Sequence, residues 1–402
     1  MPATDSDFNA FLQSIYLSDR QAKACQEAHR HMRELLADDP DIKEVVVSMF
    51  LQGSIKRATT IAPAKGEKSD VDLVVATVLD EKEHSPIMAW QRFAPFLDRH
   101  FVKDGKRLWR PQGRSVGVSY PGPTDDESVE LDLVVTSIPS EAIQGLLMQG
   151  PFDADDNYDP LLEKSESREL MRKAAMRADA WKTEALRIPD RERRVWENTD
   201  PLAQIRWTWR KNARTDGHYT HTVMALKWWQ RMNDNVKRPK GYTLEAIVGA
   251  CCPDKIANLG EAVAATLTQI EELYAEDARQ KRVPYVPDVG TGLNVLARIS
   301  PDDFGAFYAA AVQAARVARY AVSASSREEA CRAWRLLFGQ SFPPYEEPIP
   351  AAASRVVAPV AAAFAGLPHP EPIRRPVVTV SDPTPGYASP TAPARVGNPR
   401  FA

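Results

Sequence analysis

Two short apolar segments carry closely spaced carboxylates, and this pattern constrains the fold more than any other part of the sequence. Residues 70–75 read Asp-Val-Asp-Leu-Val-Val, a strand pattern in which side chains alternate between the two faces of a sheet. Asp70 and Asp72 therefore share a face, with backbone positions roughly 6–7 Å apart. At this short distance two ionised carboxylates repel each other, and a cation between them compensates the repulsion. Mg²⁺ is the natural candidate, because it prefers hard oxygen ligands from carboxylates and substrate phosphates.

A third carboxylate lies on the second segment, residues 129–135, which reads Val-Glu-Leu-Asp-Leu-Val-Val. The leucines and valines around Asp132 predict a buried strand beside the first pair, where an unpaired carboxylate is unfavourable. Three carboxylates can hold two metal ions, one that activates an attacking hydroxyl and one that binds a triphosphate. Glu130 shares the face of Asp132 and is the alternative third ligand.

A Gly-Ser pair follows the strand that precedes the first acidic segment. Residues 44–52 are β-branched and apolar, which predicts a buried strand ending at Gly53 and Ser54. A glycine lets the backbone approach a phosphate, and the next amides and hydroxyl can donate to phosphate oxygens. The Gly-Ser pair and the Asp-x-Asp motif are each weak signals. Their order along the chain, with a later Asp-bearing strand, is a far more specific indication of a phosphate and metal site.

Hydrophobic periodicity and composition divide the chain into three parts. Residues 1–200 predict an α+β domain that includes a helix with a capping box at Ser18 and Gln21. Residues 201–345 predict a helical lobe. Residues 346–402 contain twelve of the 32 prolines and no lysine, which predicts a disordered tail. The further expected strands are 71–77, 115–120 and 128–137, and the expected helices are 85–100, 169–186, 221–232, 244–251, 259–275, 302–321 and 327–338.

Composition and charge argue against several classes of protein. The 51 basic and 54 acidic residues give a net charge of −3, so the chain carries no strong nucleic-acid signal. No apolar span has the length of a membrane helix, and the polar N-terminus is unlike a secretory signal. The four cysteines fit neither a zinc site nor a disulfide framework. Buried thiols in a reducing compartment explain them, so we expect a cytoplasmic protein.

These residues resemble the core of the bacterial cGAS/DncV-like nucleotidyltransferases (CD-NTases), the SMODS-type second-messenger oligonucleotide synthases of CBASS anti-phage systems. The resemblance covers about residues 8–345 and continues through the connector and the helical lobe. The residues that carry it are Gly53-Ser54 with Lys56, Arg57 and Thr59, Asp70-Val71-Asp72, Asp132, Ile188-Pro189-Asp190, Lys227, Gly241-Tyr242-Thr243-Leu244-Glu245 and Pro287-Asp288.

The resemblance implies a polymerase-β-like nucleotidyltransferase sheet domain and an oligoadenylate-synthetase-like helical lobe. The implied reaction joins NTPs, ATP among them, into a cyclic di- or trinucleotide and releases pyrophosphate. The cyclic product then activates a downstream effector. It implies two Mg²⁺ ions, for which Mn²⁺ can substitute. The implied catalytic and metal-binding residues are Asp70, Asp72 and Asp132, and the implied substrate-binding residues are Gly53, Ser54, Lys227 and Tyr242.

Other interpretations stay open at this point. Periodicity alone explains Lys227 as a lysine whose stem covers neighbouring tryptophans, and Tyr242 as a packing residue. Gly241 stands where relatives commonly offer a serine to the triphosphate. The same core could instead modify RNA, a protein or a small molecule, and an inactive nucleotide-binding scaffold is a second alternative. The small C-terminal residue, Ala402, suits a ubiquitin-transfer-like partner that joins the tail to targets, as related systems do.

Overall fold

The computed structural model describes residues 3–138 and 185–345, and it confirms the predicted α+β fold class. A mixed sheet with flanking helices forms the first part, and helices form the second. No helix among these residues is long and apolar enough to cross a membrane. Two expectations concern residues that the structure does not describe: most of the helix predicted over 169–186, and the disordered tail predicted over 346–402. Leu186, at the end of that predicted helix, is described and begins a strand.

The first part follows the predicted order of strands and helices. Ser18 and Gln21 form the expected capping box, in which the Ser18 hydroxyl accepts from the Gln21 amide at 3.3 Å. The predicted helix over 85–100 is divided in two, because Pro95 has no N–H to donate to the preceding turn. The elements are α1 (Asp5–Ile15), α2 (Asp19–Asp38), β1 (Val46–Gln52), α3 (Gly53–Lys56), β2 (Ser69–Thr77), α4 (Pro86–Gln91), α5 (Ala94–His100), β3 (Val102–Lys103), β4 (Lys106–Arg107), β5 (Trp109–Pro111), β6 (Val116–Tyr120), β7 (Val129–Ser137), β8 (Leu186–Asp190) and β9 (Val195–Thr199).

The order of the strands brings the two acidic segments together. Across the sheet the order is β1-β2-β7-β6-β5, and β8 pairs with both β7 and β9. β2 and β7 run parallel, with Asp72 opposite Asp132 and Asp70 opposite Glu130. β1 runs antiparallel to β2 and ends with Gln52 opposite Asp72. The loop that follows β1 therefore begins beside the carboxylates.

The two faces of the sheet have different surroundings. Val71, Leu73 and Val75 on β2 belong to the core that the sheet forms with α2, α4 and α5. Asp70 and Asp72 alternate with these residues and so occupy the opposite face. That face stays open at the acidic end of β2, which leaves space for the cavity described below.

The helical lobe contains the remaining predicted helices. The expectation for 327–338 agrees with the structure at both ends, and the others differ by a few residues. The helices are α6 (Pro201–Arg214), α7 (His218–Arg231), α8 (Tyr242–Cys251), α9 (Leu259–Leu273), α10 (Ala275–Arg279), α11 (Pro301–Ser323) and α12 (Arg327–Phe338). The described residues 3–138 and 185–345 belong to one compact unit. The boundary near residue 200 stays a prediction.

The N-terminal helix α1 was not predicted from the sequence, and its apolar side packs into the core of the helical lobe. Phe8 makes an edge-to-face contact with Trp334 of α12, at a centroid distance of 5.1 Å. Phe11 stacks on Phe338, at 4.4 Å. The first residues of the chain therefore contribute to the second half of the fold.

Candidate active site

The three predicted catalytic carboxylates line a single cavity. The cavity has a volume of about 870 Å³, and its wall includes Asp70 and Asp72 from β2 and Asp132 from β7. Gly53 and Ser54 line the same cavity, from the short helix α3 that follows β1. The strand register explains this arrangement. Asp72 and Asp132 are paired on neighbouring parallel strands, whose backbones lie about 4.8 Å apart.

The electrostatics of the site favour a bound cation. The Asp70 side chain is exposed to the cavity, where partial desolvation raises its pKa to about 8, and the neighbouring Asp72 and Asp132 carboxylates add to the effect. Burial and Asp132 likewise raise the pKa of Asp72 to about 6. The pKa of Asp132 is also raised, mainly by burial. A divalent cation would remove this repulsion, and carboxylate oxygens are the ligands that Mg²⁺ prefers.

The carboxylates are close to one another but do not form a closed metal cage. Among the residues that the structure describes, no group of three or more His, Cys, Asp or Glu side chains is arranged so that it could hold a metal ion by itself. The Asp132 carboxylate accepts hydrogen bonds from Gln112 Nε2 at 2.9 Å and Ser115 Oγ at 3.2 Å. An open site of this kind suits Mg²⁺, which takes a few protein carboxylates and completes its coordination with water and substrate phosphates.

Glu130, the alternative third ligand, has different partners. Its carboxylate lies 3.3 Å from Lys68 Nζ and 3.2 Å from an Arg110 guanidinium nitrogen. It lines an adjoining cavity of about 540 Å³ and is not part of the wall of the larger one. With two cations already paired to Glu130, the geometry favours Asp132 as the third metal ligand.

Gly53 is required by the close approach of the loop to Asp72. Its φ of +74° lies in the left-handed region that favours glycine. A Cβ at this position would collide with the Asp72 carboxylate, since it would lie 2.7 Å from Asp72 Cγ. The absence of a side chain therefore lets the loop and the acidic strand meet.

The Ser54 hydroxyl is oriented by its neighbours. Thr60 Oγ1 donates a hydrogen bond to Ser54 Oγ at 2.9 Å, and the Thr59 amide donates to the Ser54 carbonyl at 2.9 Å. Because Ser54 Oγ accepts from Thr60, its own proton can be donated to a phosphate oxygen in the cavity.

Lys227 does not behave as a lysine that covers tryptophans with its stem. Its side chain is 12% exposed, and the ammonium group donates to Glu245 Oε1 at 2.7 Å and to the Thr59 carbonyl at 3.0 Å. Burial lowers the pKa of Lys227, against the opposing effect of Glu245. Arg57, at the end of α3, donates to the same Glu245 carboxylate at 2.7 Å and 3.2 Å.

Glu245 is a residue whose importance the sequence reasoning missed. It lies on α8 within the apolar sequence Leu-Glu-Ala-Ile-Val, and it is 1% exposed. A charged residue at a buried helical position was the available signal, because such residues are rarely buried without partners.

Tyr242, the first residue of α8, lines the cavity and is held from two sides. The Arg57 guanidinium lies over its ring, 4.9 Å from the centroid. Burial raises the pKa of Tyr242, and the neighbouring Asp288 carboxylate adds to the effect. The neighbouring Gly241 has a φ of +60°, in the left-handed region that favours glycine.

A mixed sheet that presents three carboxylates beside a Gly-Ser loop, with helices that complete the cavity, defines a polymerase-β-like nucleotidyltransferase. The model of the Second Messenger Oligonucleotide or Dinucleotide Synthetase (SMODS) domain matches residues 1–107, which include Asp70 and Asp72 but not Asp132. The structure also resembles the Bradyrhizobium diazoefficiens CD-NTase CdnG in complex with GTP. That likeness has a TM-score of 0.58 at 12% sequence identity, over 84% of this chain and 95% of the other, and shows the fold alone.

Two curated relatives share more of the sequence. The probable cyclic AMP-AMP-GMP nucleotide synthase of Salmonella paratyphi B is 37% identical over 84% of this chain and 92% of its own length. The cyclic AMP-AMP-GMP synthase of Enterobacter hormaechei is 36% identical over 84% of this chain and 91% of its own length. The chain therefore belongs to the CD-NTase family, and it is a nucleotidyltransferase of the cyclic oligonucleotide synthase class.

Proposed function

We propose that this enzyme joins three nucleoside triphosphates, ATP and GTP among them, into a cyclic trinucleotide. The observation that carries the proposal is the single cavity in which Asp70, Asp72 and Asp132 face the Gly53-Ser54 loop. The named products of the relatives at 36–37% identity support a ring of adenine and guanine nucleotides. The volume of about 870 Å³ lies toward the upper end of the usual range for ligand pockets, and suits a donor with an acceptor.

Asp70, Asp72 and Asp132 are the residues that would hold Mg²⁺ or Mn²⁺. Two bound ions supply activation of a ribose hydroxyl and neutralisation of the triphosphate. Ser54 and Lys227 bind the phosphates of the donor, and Gly53 keeps the loop close to the carboxylates.

In each transfer the acceptor ribose oxygen forms a bond to the α-phosphorus of the donor. The bond from that phosphorus to the bridging oxygen breaks, pyrophosphate leaves, and the hydroxyl proton passes to solvent. Tyr242 holds the donor base by stacking. Positioning and electrostatic stabilisation provide most of the rate, because phosphoryl transfer leaves the protein little covalent work. Two transfers lengthen the chain and a third closes the ring.

We further propose that the product serves as a second messenger in anti-phage defence of the CBASS type, where it activates an effector protein. Membership of the CD-NTase family supports this role. In cells that carry the whole operon, an inactive variant of the synthase should lose protection against phage while the effector is still expressed.

The catalytic residues are tested with labelled NTPs and mass spectrometry of the products. Asp70→Asn and Asp72→Asn should each lower turnover by at least ~100-fold, because each removes a metal ligand from the transition state. Neither should lower the Tm of the metal-free protein, since each removes a carboxylate that its neighbours repel. Asp126→Asn, at an exposed position of the turn before β7, is the matched control.

Undiminished turnover in the Asp70 and Asp72 variants would overturn the site. Linear products, or strict dependence on an added RNA, protein or small-molecule acceptor, would favour a transferase that modifies such an acceptor. No product together with no thermal shift from Mg²⁺ and NTP would favour an inactive scaffold.

A further inference from the structure

We propose that Glu245 is a positioning residue for the donor nucleotide, which acts by holding Lys227 and Arg57 in place between the helical lobe and the Gly-Ser loop. This role rests on the proposed function, because it concerns the same cavity. Glu245 lies on α8, whereas Arg57 and Thr59 follow α3, 188 and 186 residues away along the chain. The carboxylate therefore connects two parts of the structure that must both contact one donor.

The Glu245 carboxylate is buried and fully engaged. It accepts from Arg57 Nε at 2.7 Å, from Thr59 Oγ1 at 3.0 Å and from Lys227 Nζ at 2.7 Å. Burial by itself would raise the pKa of Glu245, but Arg57 and Lys227 outweigh burial and hold it at about 2. The group therefore stays ionised throughout the neutral range and attracts both cations.

The contacts of Lys227 determine the position of its ammonium group. An ammonium group has three protons, and Lys227 uses two of them for Glu245 Oε1 and the Thr59 carbonyl. A third and longer contact reaches Thr59 Oγ1 at 3.4 Å. Because Lys227 lines the cavity together with Ser54, a phosphate oxygen can replace this weakest contact. Without Glu245, the long and flexible lysine stem would lose one of the two anchors that direct it toward the triphosphate.

Arg57 extends the same arrangement to the base-binding side. Its guanidinium binds Glu245 through two nitrogens and lies over the Tyr242 ring at 4.9 Å. The nearby Asp72 carboxylate also raises the pKa of Arg57, so the positive charge of Arg57 interacts with the acidic strand β2. One carboxylate thus positions both the residue proposed to bind the triphosphate and the residue that supports the base-stacking tyrosine.

A purely structural role explains this cluster less well. A buried ion cluster usually adds little net stability over apolar residues of similar volume. The cluster also lies at the wall of the cavity, where Arg57, Lys227 and Glu245 are all lining residues. A positioning role accounts for both its charge and its location.

The test is a double-mutant cycle with the full-length protein, measured as KM and kcat for ATP. Glu245→Gln keeps the shape of the side chain and removes its charge. We expect a rise in KM of ~10-fold or more with a kcat change within ~3-fold, because binding contacts to the triphosphate weaken. Glu245→Gln combined with Lys227→Met should raise KM by less than the product of the two single effects, because part of the effect of Glu245 acts through Lys227 and the rest through Arg57. Glu271→Gln, which removes an ion pair with Arg319 elsewhere in the lobe, should leave both constants unchanged.

Unchanged KM in folded Glu245→Gln, or effects of the two substitutions that simply multiply, would overturn the proposal. If Glu245→Gln does not fold, Glu245→Asp keeps the charge, shortens its reach, and should show a smaller rise in KM in the same assay. ATP affinity is also measured by calorimetry, so the role of Glu245 is tested even without turnover. An inactive wild-type protein that still binds ATP would count against the proposed function and not against the role of Glu245.

Discussion

Gly53 shows how a single residue can determine whether the site assembles. Its left-handed backbone and its contact with Asp72 both require the absence of a side chain. Ser54 comes next in the chain, so any displacement of residue 53 also moves the hydroxyl proposed to bind phosphate.

We expect Gly53→Ala to lower turnover by ~10-fold or more, because the added methyl group displaces the Asp72 carboxylate from its place beside Asp132. Gly105→Ala is the matched control. Gly105 has a similar φ of +71°, but a Cβ there meets no atom within 4 Å. Both variants carry the backbone strain, so a steady-state assay of the pair isolates the collision. Equal activities would show that the contact with Asp72 does not matter.

The raised pKa values of Asp70 and Asp72 predict how stability depends on pH. Each lies above the usual 3.8, so the folded state binds protons more tightly than the unfolded state. The associated stability is fully present below the unfolded pKa, and is lost as the pH rises through about 6 and about 8. Metal binding replaces those protons and should offset the loss.

The Tm of the metal-free protein should therefore fall from about pH 5.5 to about pH 8.5, and the increase in Tm caused by Mg²⁺ with ATP should grow over the same range. Differential scanning fluorimetry measures both trends. In Asp70→Asn the fall should be weaker, because one of the two titrating carboxylates is gone. A metal-induced shift that stays constant with pH would argue against metal binding at these carboxylates.

Among the helices, α1 packs against elements that lie far from it in the sequence. Its aromatic residues pack on α12, and Arg327 of α12 binds the Asp7 carboxylate at 2.6 Å and 3.0 Å. This helix closes the core of the helical lobe, although it precedes every strand of the sheet.

Phe11→Ala should lower the free energy of unfolding by ~3–5 kcal/mol, because it removes a fully buried ring that stacks on Phe338. Urea denaturation at constant temperature provides the measurement. Leu336→Ala, at a position of α12 that is 75% exposed, should change stability by less than ~0.5 kcal/mol. If the two variants are equally stable, α1 is not part of the cooperative core.

For the chain as a whole, the cavity and every residue proposed for catalysis lie within residues 3–345. The Pro- and Ala-rich segment 346–402 lies outside the residues that the structure describes. Its disorder and its access for a ubiquitin-transfer-like partner stay predictions.

Deleting residues 346–402 should leave kcat and KM within ~2-fold of the full-length values, because every described residue of the cavity wall is retained. Loss of turnover would show that the tail contributes to catalysis. Deleting only Phe401 and Ala402 tests the partner separately, in cells that carry the whole operon. Unchanged conjugate patterns and unchanged defence would exclude conjugation through the C-terminus.

Short-range regularities of the sequence determined much of this protein. Alternation along a strand places Asp70 and Asp72 on one face, and the Ser18-Gln21 pair begins a helix, because both depend on residues only a few positions apart. The fold class and most helices followed from the same regularities. The roles of Asp70, Asp72 and Asp132 were inferred from motifs and resemblance, and they stay predictions until tested.

Only the tertiary structure decided which distant elements meet. The parallel pairing of β2 with β7 places Asp132 beside Asp72, and the packing of α8 brings Glu245 to Arg57 across 188 residues. Such contacts depend on how whole elements pack, since closing a long segment of chain is favourable only when many other contacts form at once. Local periodicity therefore could not reveal the partners of Glu245. Nor could it show that α1 packs into the core of the helical lobe, because that core is formed by residues far away in the sequence.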